Sequence, residues 1–250
     1  MLLGVLVFNS TRARAAIELI TNGSFNAGVT GWSVSNWADG SGNWYFDTVG
    51  TTTPLSNFQI SGSNKPGAAA AGMYAVSDQL DPGVHAMEQS IVVPGPAQSV
   101  ILSFDMFVNS YGGEHVNTAS LDYNGEPNQH ARVDLLVAGA GPFNTGPGVI
   151  TNFCIGIDNS AINPNYFTHY TFDITSLVGG GGTFDLRFAE VDNQNYLHMG
   201  VDNVSVYFTP KACDGYGDAP EPVSLIVWST LLGLSVCATA RLARSPRKTD

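Results

Sequence analysis

Apolar and polar residues alternate from Val100 to Val108, which puts Val100, Leu102, Phe104, Met106 and Val108 on one face of a strand. The same period-two pattern recurs at Val133, Leu135 and Val137, and at Phe184, Leu186 and Phe188 around Asp185 and Arg187. A last strand is marked by Met199 and Val201, then by Val204, Val206 and Phe208. The apolar phase changes near Asp202-Asn203, which predicts a bulge there. Shorter stretches read as further strands: Glu18–Ile20, Trp32–Ser35, Met73–Ser77, Met87–Val92 and Tyr170–Ile174. Turns or loops are expected at Pro66–Gly72, Gly139–Gly148, Asp158–Asn165 and Gly179–Gly182. No 3.6-residue period runs through any long stretch before Pro220. Many short strands between Gly, Asn and Pro turns predict an all-β fold, an antiparallel sandwich of two sheets.

Composition sharpens this. Charged residues are 12% of the 250, about half of what is usual. Gly, Asn, Ser and Thr supply the remaining polarity, and 10% aromatics argue against disorder. From Glu18 to Asp218 the chain carries 19 acidic residues against Lys65, Arg132, Arg187 and Lys211, a net charge of −15. Such a field repels nucleic acid and anionic membrane surfaces and favours cations, calcium among them. Cys237 lies in an apolar tail. Cys154 and Cys213 either pair in an oxidising compartment or remain a buried and a free thiol.

Both ends read as processing signals. Leu2–Phe8 is a short apolar run, followed by Ala13-Arg14-Ala15-Ala16, which resembles a secretory signal peptide with its small-residue cleavage site. No basic residue precedes that run, so the signal is truncated or its start is misplaced. At the other end, Pro220-Glu221-Pro222 precedes Val223–Ala240, 18 residues without a charge. As a helix that span reaches about 27 Å, enough to cross a bilayer core. Arg241, Arg244, Arg247 and Lys248 follow and would stay on the cytoplasmic side. The order resembles the PEP-CTERM sorting signal of Gram-negative bacteria, read by the membrane protease exosortase. That resemblance implies export, a transient membrane anchor, processing near Pro220, Glu221 and Pro222, and delivery to the cell surface or its matrix. The expected division is residues 1–16 as signal peptide, 17–209 as sandwich, 210–222 as linker and 223–250 as membrane helix and basic tail.

A second resemblance lies at the two ends of the sandwich. Thr21-Asn22-Gly23-Ser24-Phe25-Asn26 with Gly31-Trp32 is similar to the opening of galactose-binding-like jelly rolls and related carbohydrate-binding modules. Gly200-Val201-Asp202-Asn203-Val204-Ser205-Val206 resembles their closing strand. The resemblance implies a jelly roll whose first and last strands are neighbours. It also implies a structural calcium ion near Asn26 and Asp202, with Asn26 standing where the family has Glu. The competing role for Asp202 is a hydrogen bond within a turn or bulge.

Sugar recognition needs aromatic rings for stacking, with carboxylates and amides for hydroxyls. Trp37, Trp44 and Tyr45 sit in a Gly/Ser/Asn-rich segment, and Glu190, Asp192 and Asn193 sit in an acid-amide run before the last strand. These six are the candidate ligand-binding residues; Trp32 is expected in the core. No Gly-x-Ser-x-Gly or His-Glu-x-x-His pattern occurs, the five histidines are scattered, and no carboxylate pair stands out. The expected role is therefore a non-catalytic exported protein that contacts extracellular polysaccharide. A structural adhesion protein with protein partners is the alternative, followed by a secreted polysaccharide hydrolase.

Overall fold

A computed structural model of the chain describes residues 14–48, 52–59, 73–112, 115–117, 119–156 and 163–212. The backbone divides into Met1–Lys211 and Ala212–Asp250, and every element below lies in the first unit. Most of the signal-like start, the tail with Pro220, Glu221, Pro222, Arg241 and Arg244, and Cys213 fall outside the described residues.

In chain order the elements are β1 (Ile17–Glu18), β2 (Ser33–Asn36), β3 (Asn43–Thr48), β4 (Met73–Asp78), β5 (Gly83–Val93) and β6 (Ala97–Ser110). Then come β7 (Gln129–Val137), β8 (Val149–Gly156), β9 (Thr168–Asp173), the one-turn helix α1 (Thr175–Val178), β10 (Gly182–Asp192) and β11 (Leu197–Pro210). One sheet runs β3-β4-β11-β6-β9, with β1 also paired to β11; the other runs β2-β5-β10-β7-β8. Every strand pairing is antiparallel. Among the described residues no helix is long and apolar enough to cross a membrane.

The sandwich follows from the alternation. Val100, Leu102, Phe104, Met106 and Val108 of β6 face Val133 and Leu135 of β7 and Leu186 and Phe188 of β10 in one buried core. The bulge lies where the phase changes. Asp202 pairs with Asp105, but Ser205 pairs with Ser103, so β11 holds one extra residue. Asn203 absorbs it at φ 50°, a conformation Asn tolerates. Val201 and Val204 thereby both point inward.

β1 pairs with β11, so first and last strands are neighbours. The Asn22–Trp32 motif is a clasp over the bulge. Asn22 Oδ1 accepts from Ala27 N at 3.1 Å, and Nδ2 donates to Gly28 O and Thr30 O, each at 2.9 Å. Gly23 O accepts from Val204 N at 2.9 Å. A Cβ on Gly23 would stand 1.8 Å from Val204 O, so only glycine fits. Phe25 and Trp32 then fill the core with ring centroids 5.3 Å apart.

Two strands depart from expectation. β3 occupies the segment read as ring-bearing loop, and β8 occupies one that carried no strand signal. β8 is an edge strand with two register shifts against β7, so its two faces are not cleanly apolar and polar.

Candidate functional site

Loops gather where β2, β4 and β10 end. Chain leaving β2 turns at Trp37, whose N–H donates to Val84 O at 3.1 Å. Trp37 is 36% exposed as a residue, and its ring leans on Phe143, with centroids 5.1 Å apart at 46°. Phe143 and Tyr123 lie over a small aliphatic patch on the outer face of the second sheet: Val84, Ala86, Ala189 and Val191. Tyr123 Oη donates to Ala38 O at 3.1 Å. Around these rings Asn36, Asp39, Asp122, Asn124 and Glu126 are exposed. A rigid, part-exposed indole among amides and carboxylates can stack on a sugar ring and bond its hydroxyls.

The other five candidate residues go elsewhere. Asn193 braces a neighbouring loop: Nδ2 donates to Tyr123 O at 2.9 Å and Glu126 O at 3.0 Å, and Oδ1 accepts from Asn128 N at 2.7 Å. Trp44 is 3% exposed and part of the core, so its ring offers no face to solvent. Tyr45 is half-buried against the outer-face cluster of Tyr74, Val76 and Phe107 on the first sheet. Burial, then the charge of Asp78, raises its hydroxyl above the usual tyrosine value.

Glu190 and Asp192 lie on β10 itself and are fully buried. Phe188 points into the core, so period two carries Glu190 and Asp192 to the same inner side. Asp192 closes the β10–β11 turn. Its Oδ2 accepts from Gln79 Nε2 at 2.7 Å and Leu197 N at 3.0 Å, and its Oδ1 from Gln194 N at 3.1 Å. Among the described residues neither Glu190 oxygen makes a hydrogen bond of full geometry, and Gln79 and Ser77 are the polar side chains beside it. Burial, reinforced by the charge of Asp192, raises its carboxyl well above the ordinary glutamate range. His85 Nε2 stands 3.7 Å from Glu190 Oε1, while Nδ1 lies 2.8 Å from Asn36 Oδ1. Burial pushes His85 down to about 4 and the Glu190 carboxyl up, so it favours the neutral form of both. These groups build the inner wall beneath the loops.

The remaining pair, Asn26 and Asp202, is engaged with backbone. Asn26 Oδ1 accepts from Met73 N at 3.2 Å, and Asp202 Oδ1 accepts from Asn203 N at 2.7 Å within the bulge. Among the described residues no three His, Cys, Asp or Glu side chains converge to hold a metal ion.

One constellation escaped the sequence. Ser56 Oγ lies 2.5 Å from Asp78 Oδ1 and 3.1 Å from His198 Nε2, and Asp78 Oδ1 lies 3.3 Å from the same nitrogen. A nucleophilic triad sets serine and carboxylate on opposite nitrogens of the imidazole. Here one nitrogen meets both, His198 Nδ1 has no hydrogen-bond partner among the described residues, and the ring is fully buried. Asp78 Oδ2 also accepts from Ser56 N at 2.9 Å. The arrangement therefore anchors the 52–59 loop. Its three members come from segments far apart in sequence, so no local spacing marks them.

No protein-family model and no curated protein matches the chain. Solved structures resemble it distantly. The carbohydrate-binding module TmCBM61, solved with β-1,4-galactotriose, is 8% identical over 77% of this chain and 99% of that one, with a TM-score of 0.44. The K1 cleaved adhesin domain of Lys-gingipain from Porphyromonas gingivalis is 13% identical over 80% and 100%, with a TM-score of 0.42. The C-terminal family 22 carbohydrate-binding module of Clostridium thermocellum Xyn10B is 9% identical over 79% and 95%, with a TM-score of 0.40. Likeness at this level carries no ligand across to this chain.

Proposed function

We propose that this is an exported, non-catalytic surface protein whose sandwich holds an uncharged polysaccharide at the loop end around Trp37. The observation that carries the reading is the Trp37 indole, part-exposed and propped on Phe143 among exposed Asn, Asp and Glu residues. The charge distribution supports an uncharged ligand. Among the described basic residues, Arg132 and Arg187 are buried, which leaves Arg14 and Lys211 exposed. Uronate or sulfated chains would meet a strongly acidic surface with little to pair them.

Trp37→Ala should weaken binding of a neutral glycan at least about tenfold, the scale of one anchoring aromatic. Tyr166→Ala removes a ring that is 57% exposed on another loop and should change nothing. Glycan-array binding and calorimetry on the full chain in mild detergent, with and without calcium, measure both. No binding to any glycan, or equal binding by the Trp37 variant, refutes the site. Self-association without sugar dependence in sedimentation would favour the adhesion reading instead.

The export half of the proposal stands on the C-terminal sequence. Pro220–Asp250 fused to a reporter should give membrane retention and exosortase-dependent processing in a suitable host. Glu221→Ala should leave the reporter uncut. A reporter that stays soluble in the cytoplasm contradicts the proposed address.

A further inference from the structure

We propose that Arg187 is a positioning residue for the Trp37 site, acting by clamping the two carbonyls that flank Phe143. The ligand in this inference rests on the reading above; the clamp does not. Arg187 is fully buried on the outer face of β10. Its Nη1 donates to Pro142 O at 2.9 Å and to Asn144 O at 2.8 Å. Phe143 lies between those two residues and is the ring on which Trp37 leans.

The far side of the guanidinium is held just as firmly. Its Nε donates to Asp134 Oδ2 at 3.1 Å, and Nη2 bonds the same oxygen. Asp134 is fixed in turn by Arg132 Nε at 2.7 Å, Arg132 Nη2 at 2.8 Å and Asn152 Nδ2 at 2.8 Å. A planar guanidinium bonded along one edge to a fixed carboxylate has its other nitrogen aimed by geometry. That nitrogen determines where the loop carbonyls rest.

The loop needs such a clamp. It holds Gly139, Gly141, Gly146 and Gly148, with φ 75° and 89° at the first two, and glycine imposes little conformation of its own. Turn bonds inside the loop, Asn144 N to Gly141 O at 3.2 Å, Asn144 Nδ2 to Ala140 O at 3.1 Å and Gly146 N to Asn144 Oδ1 at 2.8 Å, shape it locally. Its ties to the rest of the sandwich include Gly139 N to Asp185 Oδ2 at 2.8 Å, Thr145 Oγ1 to Ala119 O at 2.7 Å and Val137 N to Gly148 O at 2.9 Å, and none of these three is made by Phe143 or its two neighbours. A buried ion pair is in general weak evidence for added stability, whereas it fixes geometry well.

Arg187→Lys keeps the charge beside Asp134, but a single ammonium cannot also hold both carbonyls. In the full chain it should melt cooperatively. Acrylamide should quench Trp37 more strongly than in the parent, Trp37 being isolated by subtracting matched Trp37→Phe proteins. Neutral-glycan affinity should fall about tenfold, and adding Phe143→Ala should cost little more, as expected for residues acting in one path. Phe143→Ala alone leaves the Arg187–Asp134 contact intact and should reproduce both effects, which covers the case of a lysine variant that fails to fold. A folded lysine variant with unchanged quenching overturns the clamp. So does Phe143→Ala with unchanged quenching, or two losses that multiply. If the parent binds no glycan while quenching still follows Arg187, the glycan reading falls and the clamp stands.

Discussion

Asp134→Ala is expected to destabilise the sandwich by about 3–5 kcal/mol, because it strips two buried guanidiniums of their shared carboxylate. Asp134, Arg132 and Arg187 are all buried, and the carboxylate accepts from both guanidiniums and from Asn152. Burial alone would raise its carboxyl. The Arg132 bonds and the two positive charges outweigh that and hold it below the ordinary aspartate value. Whole domains are stable by only about 5–15 kcal/mol, so the loss should lower Tm by roughly 10–15 °C or abolish folding. Adding Arg187→Met to Asp134→Ala should cost less than the two changes summed, since it removes one stranded cation. Denaturant melts of the single and double variants measure this. An Asp134→Ala protein within about 1 kcal/mol of its parent would show that the network carries little of the fold.

The core was legible because its signal is local. Two-residue alternation in β6, β7, β10 and β11 names the inward side chains, except Val137, which is exposed at the end of β7, and the broken phase at Asp202-Asn203 names the bulge. The same rule extended by two steps, from Phe184, Leu186 and Phe188 to Glu190 and Asp192, places both carboxylates inside. Their charge concealed this, since carboxylates are almost never fully buried and an acid-amide run reads as loop. Trp44 was misread for a related reason. Gly, Ser and Asn flank a strand of six residues whose Trp44 and Phe46 pack against the core on alternate positions. Trp37 is the candidate ring that stays on the surface of the loop end. Its prop could not be read, because Phe143, Asp134 and Arg187 come from three separate segments. The Asn22-Gly23 motif was visible, but its work is to hold the bulge.

Glu190→Gln should stabilise the protein by an amount that grows with pH. The side chain lies beside His85, its cross-strand partner on β5, with Asp192 on its own strand and Ser77, Asp78 and Gln79 at the end of β4. Among the described residues no cation accompanies it there, so burial favours its protonated form in the folded state. A carboxyl whose folded pKa is raised contributes fully below its unfolded value near 4.5, and the contribution is lost as pH rises toward the folded pKa. Through that window the folded state holds one more proton than the unfolded chain, at a cost of about 1.4 kcal/mol per pH unit. Glutamine holds no titrating proton, so the gain should start near zero at pH 4.5 and climb at up to that slope. His85 and His130 act oppositely. Both are pushed down to about 4 by burial, so their contribution is complete above the unfolded value of 6.5 and is lost between 6.5 and 4. The glutamine variant keeps that acid-side loss and drops Glu190's share of the alkaline-side one, leaving the shares of Glu88 and Asp192, whose carboxyls burial also raises. Urea melts from pH 4.5 to 9 on parent and variant test it. A stability difference that does not change with pH would mean that Glu190 is ionised in the fold, and the neutral pairing with His85 would be wrong.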